Sequence, residues 1–178
     1  MPQLVRPAVY YRHSFLHAFT ETDPLATGGQ FRPDTDWADI PAARPCADFA
    51  GYVQQRRAEA DRPPWPGAVM ATVLWWVDEA EYLGRISIRH ELTEQLRCHG
   101  GHIGFAVRPS ARQRGHATAM LRAALPWAAE LGITTALLTC DVDNHASRRV
   151  MEACNGRLVA QDSKSCWYHL ETARMPVE

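Results

Sequence analysis

Apolar and polar positions change period several times along the chain, and each change marks an element. QLVRPA (residues 3–8) reads as a short strand, and VYYRHSFLHAFTE (9–21) as a helix with Phe15, Leu16 and Phe19 on one side. ADFAGYVQQRRAEA (47–60) carries a weaker helical pattern, and the prolines of RPPWPG (62–67) then force a turn. VMATVLWWVD (69–78) and EYLGRISIRHEL (81–92) read as two strands of a hairpin around a short acidic turn. GGHIGFAVRP (100–109) is a further strand. After Gly115, the residues Ala117, Met120, Leu121, Ala124, Leu125 and Ala128 recur at spacings near three and four, so this helix packs on a sheet. Pro126 is expected to distort its last turns, and Gly132 suits the position just past its end. ITTALLTCDV (133–142) has the apolar, β-branched look of a strand buried on both faces. A short helix from His145 to Ala153 and two strands, in NGRLVAQ (155–161) and SKSCWYHLET (163–172), complete the chain.

This order, a hairpin first and then strand–helix–strand, predicts an α/β (α+β) fold: a mixed, largely antiparallel twisted sheet flanked by helices, with one central βαβ crossover. Its 178 residues suit a single domain spanning 1–178. The segment from Thr22 to about Pro45 lacks periodicity and carries Phe31 and Trp37; it reads as a substrate-side loop, or as a passive insertion. A formal net charge of −1 gives no reason to expect a nucleic-acid partner, and no apolar run is long enough for a membrane span. With no signal-peptide pattern at the N-terminus, a cytoplasmic protein is expected. Five cysteines without CxxC spacing argue against a disulfide framework and a structural zinc site. His13 and His17, four apart on a helix, lack a third ligand, and Cys98, His99 and His102 are broken by two glycines, so no metal is expected. Trp75 and Trp76 occupy opposite faces of one strand; one is expected in the core and the other in a substrate groove or dimer contact. A homodimer through the late strands is a further expectation.

The chemistry gathers in RPSARQRGHATAML (108–121). A helix start presents bare N–H groups and the positive end of the helix dipole, Gly115 allows close approach to the main chain, and Arg112 and Arg114 add charge. Together they make an anion site suited to a pyrophosphate, or simply a solvated basic helix start. Neither GxxxxGK[ST] nor a strand-to-helix GxGxxG is present.

FAVRPSARQRGHATAML resembles the cofactor motif of the GCN5-related N-acetyltransferase (GNAT) superfamily: a strand, a V-x-P exit, then [RQ]-x-x-G-x-[GA], filled here by Arg112, Gly115 and Ala117. ALLTCDVDNHASRRVMEACNG resembles the second signature, a strand followed by an Asn-x-x-[AS] helix, with Asn144 and Ser147 in place. The resemblance covers roughly Tyr82 to Gly156 and points to a bacterial branch of the superfamily. It implies acetyl-CoA as cofactor. The backbone of Phe105, Ala106 and Val107 would pair with the pantetheine amides. The N–H groups of Gln113, Arg114, Gly115, His116, Ala117 and Thr118 would wrap the pyrophosphate, and Asn144 would bond the pantetheine arm.

Two catalytic positions depart from the family. Many members carry a Tyr seven residues after the motif Asn, where this chain has Met151, and some carry a Glu five residues before it, where this chain has Thr139. Neither can move a proton as the usual residue does. Candidate bases are His102, on the motif strand, and Glu91, a strand-end carboxylate that Arg89 could instead pair at the surface; His90 and Asp141 follow. Tyr168 and Cys140 are candidate acids, and Cys140 is a weak candidate nucleophile for want of an adjacent base. Proximity and oxyanion stabilisation, with the Val107 amide polarising the thioester, could supply most of the rate without a dedicated acid. The expected activity is transfer of an acetyl group to a primary amine, on a small molecule or a peptide, by direct attack in a ternary complex. The competing readings are a non-catalytic acyl-CoA-binding module and an acyltransferase for longer acyl chains.

Overall fold

A computed structural model describes residues 1–22 and 46–172. Strand β1 (Gln3–Val5) leads through a 3-10 turn (Val9–Tyr11) into helix α1 (Arg12–Ala18), and helix α2 (Phe49–Ala58) precedes the hairpin of β2 (Ala71–Asp78) and β3 (Glu81–Arg89). Helix α3 (Glu94–Cys98), strand β4 (Ile103–Val107) and a 3-10 turn (Pro109–Ala111) lead to helix α4 (His116–Glu130). Strand β5 (Thr135–Asp141), helix α5 (His145–Ala153) and strands β6 (Arg157–Gln161) and β7 (Ser165–Glu171) follow. The predicted substrate-side segment lies, apart from Thr22, outside the described residues. No helix among the described residues is long and apolar enough to cross a membrane.

The strands form two antiparallel sheets, in the orders β1-β2-β3-β4 and β5-β7-β6. The β4–α4–β5 crossover therefore joins two sheets, which touch through an isolated bridge between Gly101 and Leu138. Helix α4 packs on one face of the first sheet, and α1 and α2 on the other. Strand alternation sends neighbouring tryptophans into two different cores. Trp75 joins Phe15, Phe49, Tyr52 and Tyr82, with the Phe15 and Trp75 rings stacked at 4.7 Å. Trp76 joins the aliphatic core of Leu74, Ile86, Met120, Leu121 and Leu138. Both indoles are buried, so neither lines an open groove or a dimer face, contrary to the expectation for one of them.

Three other expectations change. Strand β5 alternates instead of being buried on both faces: Ala136 and Leu138 enter the core, while Thr135, Leu137 and Thr139 stay half-buried, because only one face meets the helices. Helix α3 was not foreseen, although Thr93 accepts from the Leu96 N–H as an N-cap should. Arg89 is buried and donates to the carbonyls of Gly100 (3.2 Å) and Gly101 (3.0 Å), so it does not serve as a surface partner for Glu91. Helix α4 runs through Pro126 to Glu130 and ends as anticipated. Gly132 takes a left-handed φ of 81° and donates to Ala129 O, and Ile133 donates to Ala128 O, the paired bonds of a Schellman cap.

Candidate functional site

Strand β4 is the outer strand of its sheet, and its pairing with β3 fixes where its main-chain groups point. Arg89 N donates to His102 O at 2.7 Å and Arg108 N to Leu83 O at 2.9 Å, so the even-numbered residues of β4 face β3. Phe105 and Val107 then aim their N–H and C=O groups at the edge that no strand among the described residues covers. Arg112 Nε donates to Val107 O at 3.0 Å. The Val107 N–H and both main-chain groups of Phe105 are left along the uncovered edge.

Beyond Val107 the chain makes its 3-10 turn and enters α4 through Gln113 (φ 61°) and Gly115 (φ 80°). Gly115 stands at the N-cap with no side chain to satisfy the first helical amides, and the first turn has no acidic residue. Among the described residues, an added Cβ at Gly115 would meet nothing within 4 Å, so the N-cap position itself is open. Arg114 is exposed beside them. These are the conditions under which a helix start holds an anion. Trp76 Nε1 donates to His116 Nδ1 at 3.2 Å. An indole N–H can only donate, so Nδ1 of His116 is an acceptor and its ring proton sits on Nε2.

At the second signature, Asn144 Oδ1 accepts from Ser147 N at 3.0 Å and caps α5. The cap uses the carbonyl of the exposed Asn144 and keeps its NH2 group as a donor. The two positions that depart from the family are both structural. Thr139 Oγ1 accepts from Gly100 N at 2.6 Å, and Met151 is buried in the aliphatic core.

The candidate proton-transfer residues are not gathered at one point. His102 closes the junction of the sheets: its N–H donates to Leu137 O at 2.6 Å and its Nδ1 accepts from Leu137 N at 2.9 Å. Burial first, then the positive charges of Arg97 and Arg89 and the ring of His169, push its pKa down. The lone pair a base would use is therefore committed to Leu137. Glu91 is exposed just past β3. Tyr168 lies on the core face of β7 and reaches α5: its hydroxyl donates to Glu152 Oε1 at 2.7 Å and accepts from Arg148 Nε at 3.2 Å. Burial and the Glu152 carboxylate raise its pKa, against the opposing effect of Arg148. Burial likewise lifts the Cys140 thiol to about 11, which keeps it protonated and unfit as a nucleophile. Half-buried His90, with Nε2 2.9 Å from Thr72 Oγ1, has its pKa lowered by burial. Asp141, at the end of β5, is exposed. A surface recess along α2, lined by Gly51, Gln55, Glu59, Arg62 and Pro63, shares no residue with the β4–α4 unit.

Sequence reasoning also passed over Arg108 and its partner Glu21. Arg108 lies inside the quoted motif, but the carboxylate that meets it is 87 positions away, and no local spacing signals such a pair.

Residues 14–157 match the family described as acetyltransferase (GNAT) domain. Among solved structures the chain is similar to an acetyltransferase from Agrobacterium tumefaciens, with 19% identity over 96% of this chain and 90% of that one and a TM-score of 0.61. It is similar to a putative ribosomal-protein-serine acetyltransferase from Vibrio cholerae, with 13% identity, 96% and 93% coverage and a TM-score of 0.62. A third is the putative acetyltransferase yncA from Salmonella typhimurium, solved with its cofactor acetyl-CoA, with 12% identity, 99% and 96% coverage and a TM-score of 0.59. No curated protein matches the sequence. Identities this low speak for the fold alone, and the family match supplies the rest: the chain belongs to the GNAT acetyltransferase domain family.

Proposed function

We propose that the protein is an acetyl-CoA-dependent N-acetyltransferase acting on a primary amine of a small molecule or peptide. The observation that carries this reading is the continuity of the uncovered edge of β4 with the uncapped start of α4. A strand edge with unspent amides runs directly into a helix N-terminus with unspent amides. Acetyl-CoA supplies the activated acyl thioester. The Phe105 and Val107 main chain accepts the pantetheine arm as an added strand. The Gln113–Thr118 amides, with Arg114 and the Nε2–H of His116, hold the pyrophosphate. Asn144 donates its NH2 group to the arm, and its bond to Ser147 fixes the carboxamide.

For the chemistry, an arm that runs from the start of α4 back along β4 meets Val107 first, so the Phe105 N–H, farther from α4, would polarise the thioester carbonyl. Holding the amine against it supplies the main part of the rate. The amine loses its proton before attack to water, directly or through a relay of waters that ends on Glu91 past the end of β3. Tyr168 is buried and donates its hydroxyl hydrogen bond to Glu152, so it returns a proton to the departing CoA thiolate only by exchanging that bond; water otherwise protonates the thiolate. His102, with Nδ1 committed, holds the junction in this arrangement and becomes a base only by exchanging its bond to Leu137. Glu91→Gln, Tyr168→Phe and His102→Gln separate these roles. A fall in kcat of tenfold or more with unchanged KM marks the proton-transfer group.

A second reading, a binding module that turns nothing over, is favoured by one observation: Thr139 and Met151 are both absorbed into structure. Thiol release from acetyl-CoA across a panel of amines, run beside calorimetric titration of CoA, separates the two. Binding with turnover supports the enzyme, and binding without turnover supports the module. Absence of CoA binding overturns both.

A further inference from the structure

The side chain that follows the cofactor strand is buried and surrounded. Arg108 is 3% exposed. Its Nε donates to Glu21 Oε1 at 2.7 Å, and its Nη2 pairs with the same oxygen. Nη1 donates to Tyr82 O at 3.1 Å and Ser14 Oγ at 3.3 Å and stands 3.5 Å from Glu81 Oε1, and Nη2 lies 2.9 Å from His17 Nδ1. A buried guanidinium needs such partners. Glu21, however, does more than neutralise it. Its Oε2 accepts from Ser110 N at 3.0 Å and its Oε1 from Ser110 Oγ at 2.8 Å. One carboxylate thus holds the last turn after α1, the exit of β4 and the first turn of the loop that leads to α4.

We infer that Glu21 is a positioning residue for the Pro109–His116 turn: it fixes the angle at which β4 gives way to the turn, and so where the turn's amides stand relative to the Phe105 and Val107 amides. The inference rests on the proposed use of acetyl-CoA. An extended ligand bonded at once to β4 and to the start of α4 is bound well only if the two sets of donors keep one fixed separation, since each misplaced donor loses its bond while the others stay. Arg112, bonded to Val107 O, braces the same bend from inside the turn. Glu21 braces it from the N-terminal helix, next to the segment that begins at Thr22. Its effect is therefore expected on cofactor binding and not on the acyl-transfer step.

Three variants test this. In Glu21→Gln, one oxygen still accepts from Arg108 and from Ser110 Oγ, but the NH2 group cannot accept from the Ser110 main-chain N–H. Glu21→Ala removes both functions, and Ser110→Ala removes only the hydroxyl bond. Calorimetric titration of CoA, steady-state kinetics and ligand-free amide exchange over residues 110–118 are measured on each. The expected result is about tenfold weaker CoA binding and a matching rise in the acetyl-CoA KM for Glu21→Gln, larger for Glu21→Ala and about threefold for Ser110→Ala. The kcat and the amine KM stay within twofold, and exchange of the turn amides is faster without ligand. A brace that serves stability alone would lower the unfolding midpoint and leave CoA affinity within twofold; that result overturns the inference, as does a common fall in kcat and both KM values. Should Glu21→Ala not fold, Glu21→Gln and Ser110→Ala still decide. Wild-type protein that binds no CoA overturns the underlying reading and this inference with it. Wild-type binding with unchanged variants overturns the inference alone.

Discussion

A Cβ added to Gly101, just before β4, would lie 2.2 Å from Leu137 O, whereas one added to Gly115, past its far end, would meet nothing within 4 Å. Both glycines have positive φ, 63° and 80°, yet their surroundings are opposites. Around Gly101 nearly every polar group is spent: Gly100 N on Thr139, Gly101 N on Leu96 O, His102 N on Leu137 O, and the two glycine carbonyls on Arg89. Around Gly115 no side chain caps the helix, and among the described residues nothing crowds the N-cap. A saturated junction is what a hinge-free joint between two sheets needs, and an unsaturated turn is what a ligand needs. The same residue type serves the first by leaving room for backbone and the second by leaving room for a guest.

The contrast is most sharply tested by Gly101→Ala. The clash is with backbone, which cannot swing aside as a side chain does, so the variant should lose about 3 kcal/mol or more of stability or fail to fold. Denaturant titration measures it, and a loss below about 1 kcal/mol would show that the junction has slack. His102→Ala comes next: it leaves the Leu137 N–H without its acceptor, at about 1–3 kcal/mol.

The same ring gives a pH signature. Its folded pKa lies below the unfolded value, so the neutral ring's contribution is complete above about pH 6.5 and is lost as pH falls through the lower folded pKa. Unfolding midpoints between pH 8 and 5 should show this loss in the wild type and less of it in His102→Gln. Equal slopes would mean that His102 titrates without opening the junction.

At the other end Gly115→Ala should cost about 1–2 kcal/mol in backbone strain. It should also weaken CoA binding about tenfold by placing a methyl group in the space before the helix amides. Unchanged binding would contradict the contrast drawn between the glycines. The smallest effect is expected for Trp76→Phe, which keeps the ring in the core but removes the donor to His116. CoA affinity should fall about two- to fivefold, within the range of one net hydrogen bond, and the loss should vanish when the same change is made in His116→Ala.

The hairpin, the amphipathic stripe of α4 and the Gly132 cap were legible because each rests on local spacing. The bend after β4 and the two helix starts were legible for the same reason: Arg112 bonds Val107 O, Gly115 stands at the N-cap of α4, and Asn144 caps α5, each at or near its own backbone. What sequence could not supply is long-range. The pairing of Glu21 with Arg108, of Trp76 with His116 and of His102 with Leu137 joins residues far apart in the chain, and their types alone also fit surface or core roles. Trp76 showed the limit of alternation, which gave its face correctly and not what packs there. The both-faces reading of β5 failed because an apolar, β-branched run looks the same whether one face or two are covered. Helix α3 is short, and Thr93 was its one clear signal.

The edge of β4 has an implication for how this chain tolerates change. The donors at Phe105 and Val107 belong to the main chain, so nineteen amino acids leave them intact and proline alone deletes them. Alanine scanning would pass over this edge in silence. A proline placed at 105 or 107, together with a backbone ester at the same bond, is the way to read it. Function kept in the polymer and not in its alphabet can survive extensive rewriting of the sequence, so long as the strand itself is still drawn.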